Sequence, residues 1–483
     1  MNAVRPTVRL LSDLDAQQIV SEACRCLETT GVLVENALAS KLLAEAGARE
    51  EGDRFKIPEK LARDSVASAP RRVAVHDRGG RLALDLGEDR VHFDPGSAAI
   101  HVLDSQTGRR RDATTRDVAD LARLVDGLGN YAAQSTALSP SDVPLQIADR
   151  TRLYLALTHG RKPVVTGTFQ KDGFGPMHAM LSAVRGSEAA LAQRPLAIFD
   201  CCPSPPLKWS DLTCQALIDC ARAGVPAELV SMPLTGATSP VTLRGAIVQH
   251  AAENLSGIVI HQLARKGAPI IYGGSPAAFD MRHGTTPMGA VETMMIDVGY
   301  AQVGKHLGLP THAYMALSDA KCVDYQAGFE TAMGAVLAVL AGVNMISGPG
   351  MLDFESTQSL EKLLLDNEVC GMALRLVRGI ERREGDEAAL IDELVRKGEF
   401  LSHPHTRKNW RAELGVPSPL VDRQTYGDWE TSGALSADRR AADELERRLG
   451  TAACEPLPPD IQRALDEIMQ AELQRVGLKS LPG

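Results

Sequence analysis

The sequence predicts an α/β protein: a (β/α)8 TIM barrel with an N-terminal helical and β-hairpin region and a C-terminal helical extension. Short apolar, strand-like runs begin at Tyr131, Val164, Leu196, Ala227, Ile270, Thr311 and Val343, each followed by a helical stretch. Their starts are 31 to 43 residues apart, which is the room a strand, a crossover helix and two turns require. Several runs end in loops of Gly, Ser and Pro, namely Cys202–Pro206, Pro233–Pro240, Gly273–Pro276 and Gly348–Gly350. These fall at the carboxyl ends of the strands, the face on which barrels carry their sites. No Gly-x-Gly-x-x-Gly follows the first run, which disfavours an open dinucleotide-binding sheet. Seven runs are placed in this way, and an eighth is not.

Before the barrel, Ser12 and Asp13 cap a helix whose apolar positions Ile19, Val20, Ala23 and Leu27 recur at helical spacing, and Pro58 opens another helix. Val73–Leu86 and Val91–Leu103, broken by Gly79-Gly80 and Asp94-Pro95-Gly96, read as a small β-hairpin layer. This places N-terminal helices and hairpins in residues 1–110 and the barrel in 111–380. A charged stretch from Glu381 to Asp386 introduces an extension, 381–483, packed on the barrel.

Composition narrows the class. The 483 residues are 44% apolar and 23% charged, with a net charge of −9. The basic residues are scattered, so a nucleic-acid partner is not expected. The longest near-continuous apolar stretch, Ala332–Ile346, falls short of the roughly 20 residues that span a bilayer. Nothing after Met1 resembles a secretory signal, and nine dispersed cysteines read as reduced thiols, so a cytoplasmic protein is expected. The apolar fraction and short polar loops suggest a homo-oligomer. Only 4% of the residues are aromatic, so each ring near a strand end invites the question of why it is there.

The segment Ser318–Glu330 concentrates Asp319, Lys321, Asp324, Gln326 and Glu330 after the sixth run. These residues could cap and fix a helix start or together line a polar site. Asp280-Met-Arg282-His283 offers either a loop-fixing ion pair or an arginine for a substrate carboxylate. Phe169, Phe199, Trp209, Tyr272, Tyr314 and Phe354 lie at or beyond strand ends, where π faces could hold a quaternary ammonium. No His-Glu-x-x-His, Cys-x-x-Cys, Gly-x-Ser-x-Gly or Walker pattern is present, so no metal site is assigned and activated-serine hydrolysis and phosphoryl transfer are disfavoured.

Many ordered motifs resemble the trimethylamine:corrinoid methyltransferase family, including its members that lack pyrrolysine and demethylate betaines. They include Asp94-Pro-Gly96, Pro233-Leu-Thr-Gly-Ala-Thr-Ser-Pro240, Ala252-Glu-Asn-Leu255, Gly267-Ala-Pro-Ile-Ile-Tyr-Gly273, Asp319-Ala-Lys321, Asp324-Tyr-Gln-Ala-Gly-Phe-Glu330, Glu361-Lys-Leu-Leu-Leu-Asp366 and His405-Thr406. The resemblance implies a (β/α)8 barrel that removes a methyl group from a quaternary amine such as glycine betaine. It implies no tightly bound cofactor. The methyl acceptor would be Co(I) corrinoid on a partner protein or tetrahydrofolate.

By spacing, the family's pyrrolysine position falls near Ala327, and Glu253 and Gln326 resemble its polar contacts. The resemblance therefore assigns catalytic roles to Glu253, Gln326 and Glu330. Tyr272, Phe354, Arg282, Asp319 and Tyr314 are assigned to substrate, with Tyr272 and Phe354 caging the ammonium and Arg282 meeting a carboxylate. Gly348, Gly350 and Asp324 are assigned to the acceptor. Two other readings of the residues remain: a lyase holding Mg²⁺ on Asp319, Asp324 and Glu330, and a non-catalytic amine-binding protein.

Overall fold

A computed structural model describes residues 3–383, 385–451 and 454–482. Its centre is a parallel barrel of eight strands: β1 (His92–Asp94), β2 (Gln134–Ser135), β3 (Val164–Gly167), β4 (Ala197–Cys201), β5 (Ala227–Leu229), β6 (Ile270–Gly274), β7 (Thr311–Tyr314) and β8 (Met345–Ser347). Each strand pairs with the next from β2 to β8, and β8 pairs in turn with β1. The ring closes between β1 and β2 through a parallel bridge from Phe93 to Tyr131, where the Ala132 N–H donates to the Phe93 carbonyl at 2.9 Å.

The seven expected runs all supply strands. The missing eighth is β1, which comes from the Val91–Leu103 segment expected as a hairpin, so the barrel begins inside residues 1–110. The physical reason is local. Asp94-Pro95-Gly96 turns the chain out of a three-residue barrel strand, and the next strand, His101–Leu103, pairs antiparallel with Arg110–Asp112 and parallel with Thr357–Gln358.

The other hairpin forms as expected, Val73–His76 against Leu82–Leu86. Its Val73, Val75, Leu84 and Leu86 pack on Ala133, Val165, Ile198, Ile271 and Met345, which lie at the amino ends of the barrel strands. The hairpin is thus a plug in the barrel floor, and fully burying each such side chain is worth about 1.5–3 kcal/mol.

The first helix, Asp13–Thr29, starts at a capping box in which the Asp15 N–H donates to Ser12 Oγ at 3.1 Å and the Ser12 N–H donates to the Asp15 carboxylate at 3.0 Å. It buries Ile19, Val20, Ala23 and Leu27 against the long helix Leu243–Ala264. In the C-terminal extension, helices Ala437–Thr451 and Pro459–Arg475 place Leu445, Leu465, Met469 and Leu473 in the main core. No helix of the described residues is long and apolar enough to cross a membrane.

Candidate active site at the barrel mouth

Side chains alternate along a strand, and the plug fixes which ones face inward. Ile198 and Ile271 touch it, so Asp200 and Gly273 face inward one step nearer the mouth, while Tyr272 faces outward. The inward residues toward the carboxyl ends form a polar cluster. Ser347 Oγ donates to Asp94 Oδ1 at 2.6 Å and lies 3.1 Å from His312 Nε2. His312 Nδ1 stands 3.2 Å from Glu228 Oε1 without hydrogen-bond geometry. Asp200 Oδ2 accepts from the Ser97 and Tyr314 hydroxyls, both at 3.4 Å.

One more carboxylate reaches over the mouth from the turn after β8. Asp353, Phe354 and Glu355 have φ values of 51°, 57° and 66°, a run of three left-handed residues with side chains. Such a run is costly in an L-chain and is held by its surroundings. The Asp353 carboxylate accepts from Ser356 Oγ at 2.8 Å and from Arg110 at 2.7 Å, and the Asp353 N–H donates to the Ala320 carbonyl at 3.0 Å. The result aims Glu355 at Ser275 Oγ, 3.4 Å away.

Among the described residues, Asp94 Oδ2, Asp200 Oδ1, both Glu228 oxygens, Glu355 Oε1 and both oxygens of nearby Asp297 are buried without an N–H or hydroxyl donor, and the Asp200 and Glu228 carboxyls lie close enough to share a proton. Buried polar groups are normally satisfied, so this concentration marks the mouth. Burial pushes the Asp94, Glu228 and Asp297 carboxyls well above the usual range. Burial also raises Glu355 to about 8, with Asp319 and Asp200 adding to the rise. Asp200 is raised by burial only to about 6, because its hydrogen bonds and the Arg152 charge hold it down. Burial lowers His312 to about 3, so it is neutral. Asp200 and Glu355 are half-buried, which places them on the walls of the opening. The arrangement offers carboxyl oxygens to a cation that cannot donate a hydrogen bond, and Asp200, the least raised of them, ionises most readily.

Of the residues singled out from sequence, Tyr314 lies in this cluster. Phe354 lies beside Glu355 in the left-handed turn, and its ring faces Lys321 Nζ at 3.8 Å. Asp319, Gln326 and Glu330 come together, but their oxygens are committed to local structure. Asp319 accepts the Met288 and Gly289 N–H groups at 2.8 and 2.9 Å. Glu330 accepts Ser318 Oγ at 2.6 Å, the Asp319 N–H at 2.8 Å and Gln326 Nε2 at 2.9 Å. Asp324 caps helix Tyr325–Ala341, and Ala327 is buried against Ala320 and Leu352. Among the described residues no three His, Cys, Asp or Glu side chains are grouped to hold a metal ion. Glu253 is buried in helix Leu243–Ala264, where it accepts the Leu207 N–H at 3.0 Å, Gln249 Nε2 at 3.1 Å and Ser231 Oγ. It ties the loops after β4 and β5.

Two placements are corrected. Tyr272 is in β6 rather than a loop and points out of the barrel, its ring against Gly304 and edge-on to His250. It is not at the mouth because alternation turns it away from Ile271. Arg282 pairs with Asp280 at 2.6 Å in an exposed turn and is itself 81% exposed, so the loop-fixing reading of that ion pair describes it. Gly348 and Gly350 have φ values of 137° and 85°. A Cβ on either would collide with the Met315 carbonyl or the Gln358 amide, so the turn itself requires both glycines.

The residues that sequence reasoning missed are Asp94, Asp200, Glu228, His312 and Glu355. The first three had a signal: a single acid set directly after or between apolar strand residues, as in Phe93-Asp94, Phe199-Asp200 and Ala227-Glu228-Leu229.

The description "Trimethylamine methyltransferase (MTTB)" matches residues 1–477. A trimethylamine methyltransferase of Desulfitobacterium hafniense is 33% identical over 97% of this chain and 94% of its own length. A glycine betaine methyltransferase of another strain of that species is 28% identical over 99% of this chain and 100% of its own. In structure, the monomethylamine methyltransferase of Methanosarcina barkeri superposes with a TM-score of 0.51 at 10% identity, covering 91% of this chain and 87% of that one, which supports the barrel fold. With a family match along nearly its whole length, the chain belongs to the trimethylamine methyltransferase family and is a methyltransferase.

Proposed function

We propose that this methyltransferase takes a methyl group from a quaternary amine of betaine type, with glycine betaine as the representative, at the mouth of the barrel. The observation that carries the reading is the convergence of the Asp94, Asp200, Glu228 and Glu355 carboxyls on one opening, with oxygens there that no N–H group satisfies. A fully methylated nitrogen spreads its charge over methyl groups and takes no directed hydrogen bond, so it fits beside such oxygens and the Tyr314 ring. A relative named for glycine betaine, aligned over nearly the whole of both chains, supports the same class.

The acceptor in this proposal is Co(I) corrinoid carried by a partner protein or tetrahydrofolate; when bound, either supplies the nucleophile that attacks the methyl carbon in line. The residues present fit an acceptor that brings its own nucleophile, because His312, lowered by burial to about 3, is neutral and too weak a base to generate one. The chain's part is then to hold the ammonium against Asp200 and Glu355, present one methyl to the opening, and exclude water from the displacement. The amine leaves neutral, which weakens its hold on the carboxylates and favours release. A homo-oligomer and a cytoplasmic location belong to the same proposal.

The test is incubation of the protein with a panel of quaternary amines, once with Co(I) corrinoid and once with tetrahydrofolate, following the demethylated amine by mass spectrometry. Dimethylglycine from glycine betaine with one acceptor supports the reading. No demethylation of any amine with either acceptor contradicts it.

A further inference from the structure

Helix Leu145–His159 carries two completely buried arginines, and they are treated differently. Arg150 is surrounded by carboxylates, with Asp172 at 3.0 Å, Glu472 at 3.2 Å and Asp149 at 3.6 Å. Arg152, two residues on, forms no ion pair among the described residues. Its Nη2 donates to Thr136 Oγ1 at 2.7 Å and its Nη1 to Ser139 Oγ at 3.1 Å, while Nε is buried without a partner. A guanidinium has five N–H donors, so three are unused. A buried charge without a counter-ion is among the more expensive things a protein can contain.

The position of Arg152 suggests what meets it. Ser139 and Phe169 both lie just past the carboxyl ends of β2 and β3, so the guanidinium they touch stands at the top of the wall on its β2–β3 side. Burial lowers the guanidinium to about 10, and Asp149 and then Asp200 are the carboxylates whose charge it feels, neither within ion-pair distance. The Phe169 ring lies 4.3 Å from the guanidinium carbon and covers the flat face. A guanidinium's N–H groups lie in its own plane, so a ring stacked on its face does not compete with a planar anion for them. The cluster thus holds a lone cation on one side and carboxylates on the other.

We infer that Arg152 binds the carboxylate of a zwitterionic quaternary amine whose ammonium lies against Asp200 and Glu355, and that this arginine selects betaines over amines with no acid group. The inference rests on the quaternary-amine reading and replaces Arg282 in the role of carboxylate partner.

The experiment is titration calorimetry of the full chain with three probes: glycine betaine, its methyl ester and tetramethylammonium. For the wild type, glycine betaine is expected to bind at least about tenfold more tightly than the ester, which keeps the ammonium and loses the negative charge. Arg152→Gln is expected to weaken glycine betaine about 30-fold or more and to change tetramethylammonium less than about threefold, with Arg152→Lys between. Equal binding of acid and ester by the wild type overturns the inference without any variant, so a misfolded Arg152→Gln does not shelter it. Equal weakening of both cations by Arg152→Gln, or of neither, also overturns it. If the wild type binds tetramethylammonium and not glycine betaine, the quaternary-amine reading stands and this inference falls. If it binds none of the three, both fall.

Discussion

Along β4 the inward side chains are Ile198 and then Asp200; along β8 they are Met345 and then Ser347. The same strands therefore build an apolar floor and a polar mouth within two residues of each other. At the floor the Val73–Leu86 hairpin covers every apolar group, and Val75, Leu84, Leu86, Ile198 and Met345 have no solvent exposure. At the mouth, carboxylates converge on one another with oxygens unmatched. One end is complete without a ligand and the other is not. Stability is concentrated where packing is satisfied, and the proposed binding site lies where it is not.

The difference can be broken from either end. The largest expected effect is at the floor: Val75→Asp puts a charge where nothing can pair with it, and urea denaturation should show a loss of more than about 4 kcal/mol. The matching change at the mouth, Asp200→Asn, should lower kcat/KM about 100-fold, roughly 2.7 kcal/mol, and leave the urea midpoint unchanged or higher. A large loss of stability in that variant would mean that Asp200 is structural.

The next effect is a pH dependence. The free-state Glu355 carboxyl, raised to about 8, is protonated at neutral pH, whereas a bound cation favours its ionised form. Affinity for a quaternary amine should therefore rise with pH by up to about tenfold per unit below pH 8 and then level off. Glu355→Gln should remove that slope. The same raised value gives a stability contribution that is present below the ordinary carboxyl range and lost as pH climbs through about 8, so the ligand-free protein should melt lower at pH 8 than at pH 5. Smallest of all, Tyr272→Phe removes a hydroxyl 3.4 Å from His250 Nδ1, on the outer side of the wall. It should cost less than about 1.5 kcal/mol and leave turnover intact; lost turnover would return Tyr272 to the site.

The strands were legible where an apolar run was followed by a helix with the right spacing. β1 was not, because three residues between turn signals carry no periodicity, and only closure of the ring reveals what His92–Asp94 is for. The end of the barrel at which the carboxyls gather was legible from the Gly, Ser and Pro loops, and Tyr314, singled out from sequence, lies among them. Direction was not: whether Tyr272 points in or out depends on which neighbour the plug touches, a contact about 190 residues away in sequence. The conspicuous acids of Ser318–Glu330 drew attention because they are many and adjacent, and they serve loops and caps. The acids at the mouth, Asp94, Asp200 and Glu228, arrive singly from three strands and converge only in the barrel.

In the proposed function, carboxyls at the mouth receive a methylated cation. Titration calorimetry with tetramethylammonium at pH 7, repeated in buffers of different ionisation enthalpy, counts the protons exchanged on binding. Release of close to one proton per cation, lost in Glu355→Gln, is the expected result. Binding with no proton release, or no binding at all, would contradict it.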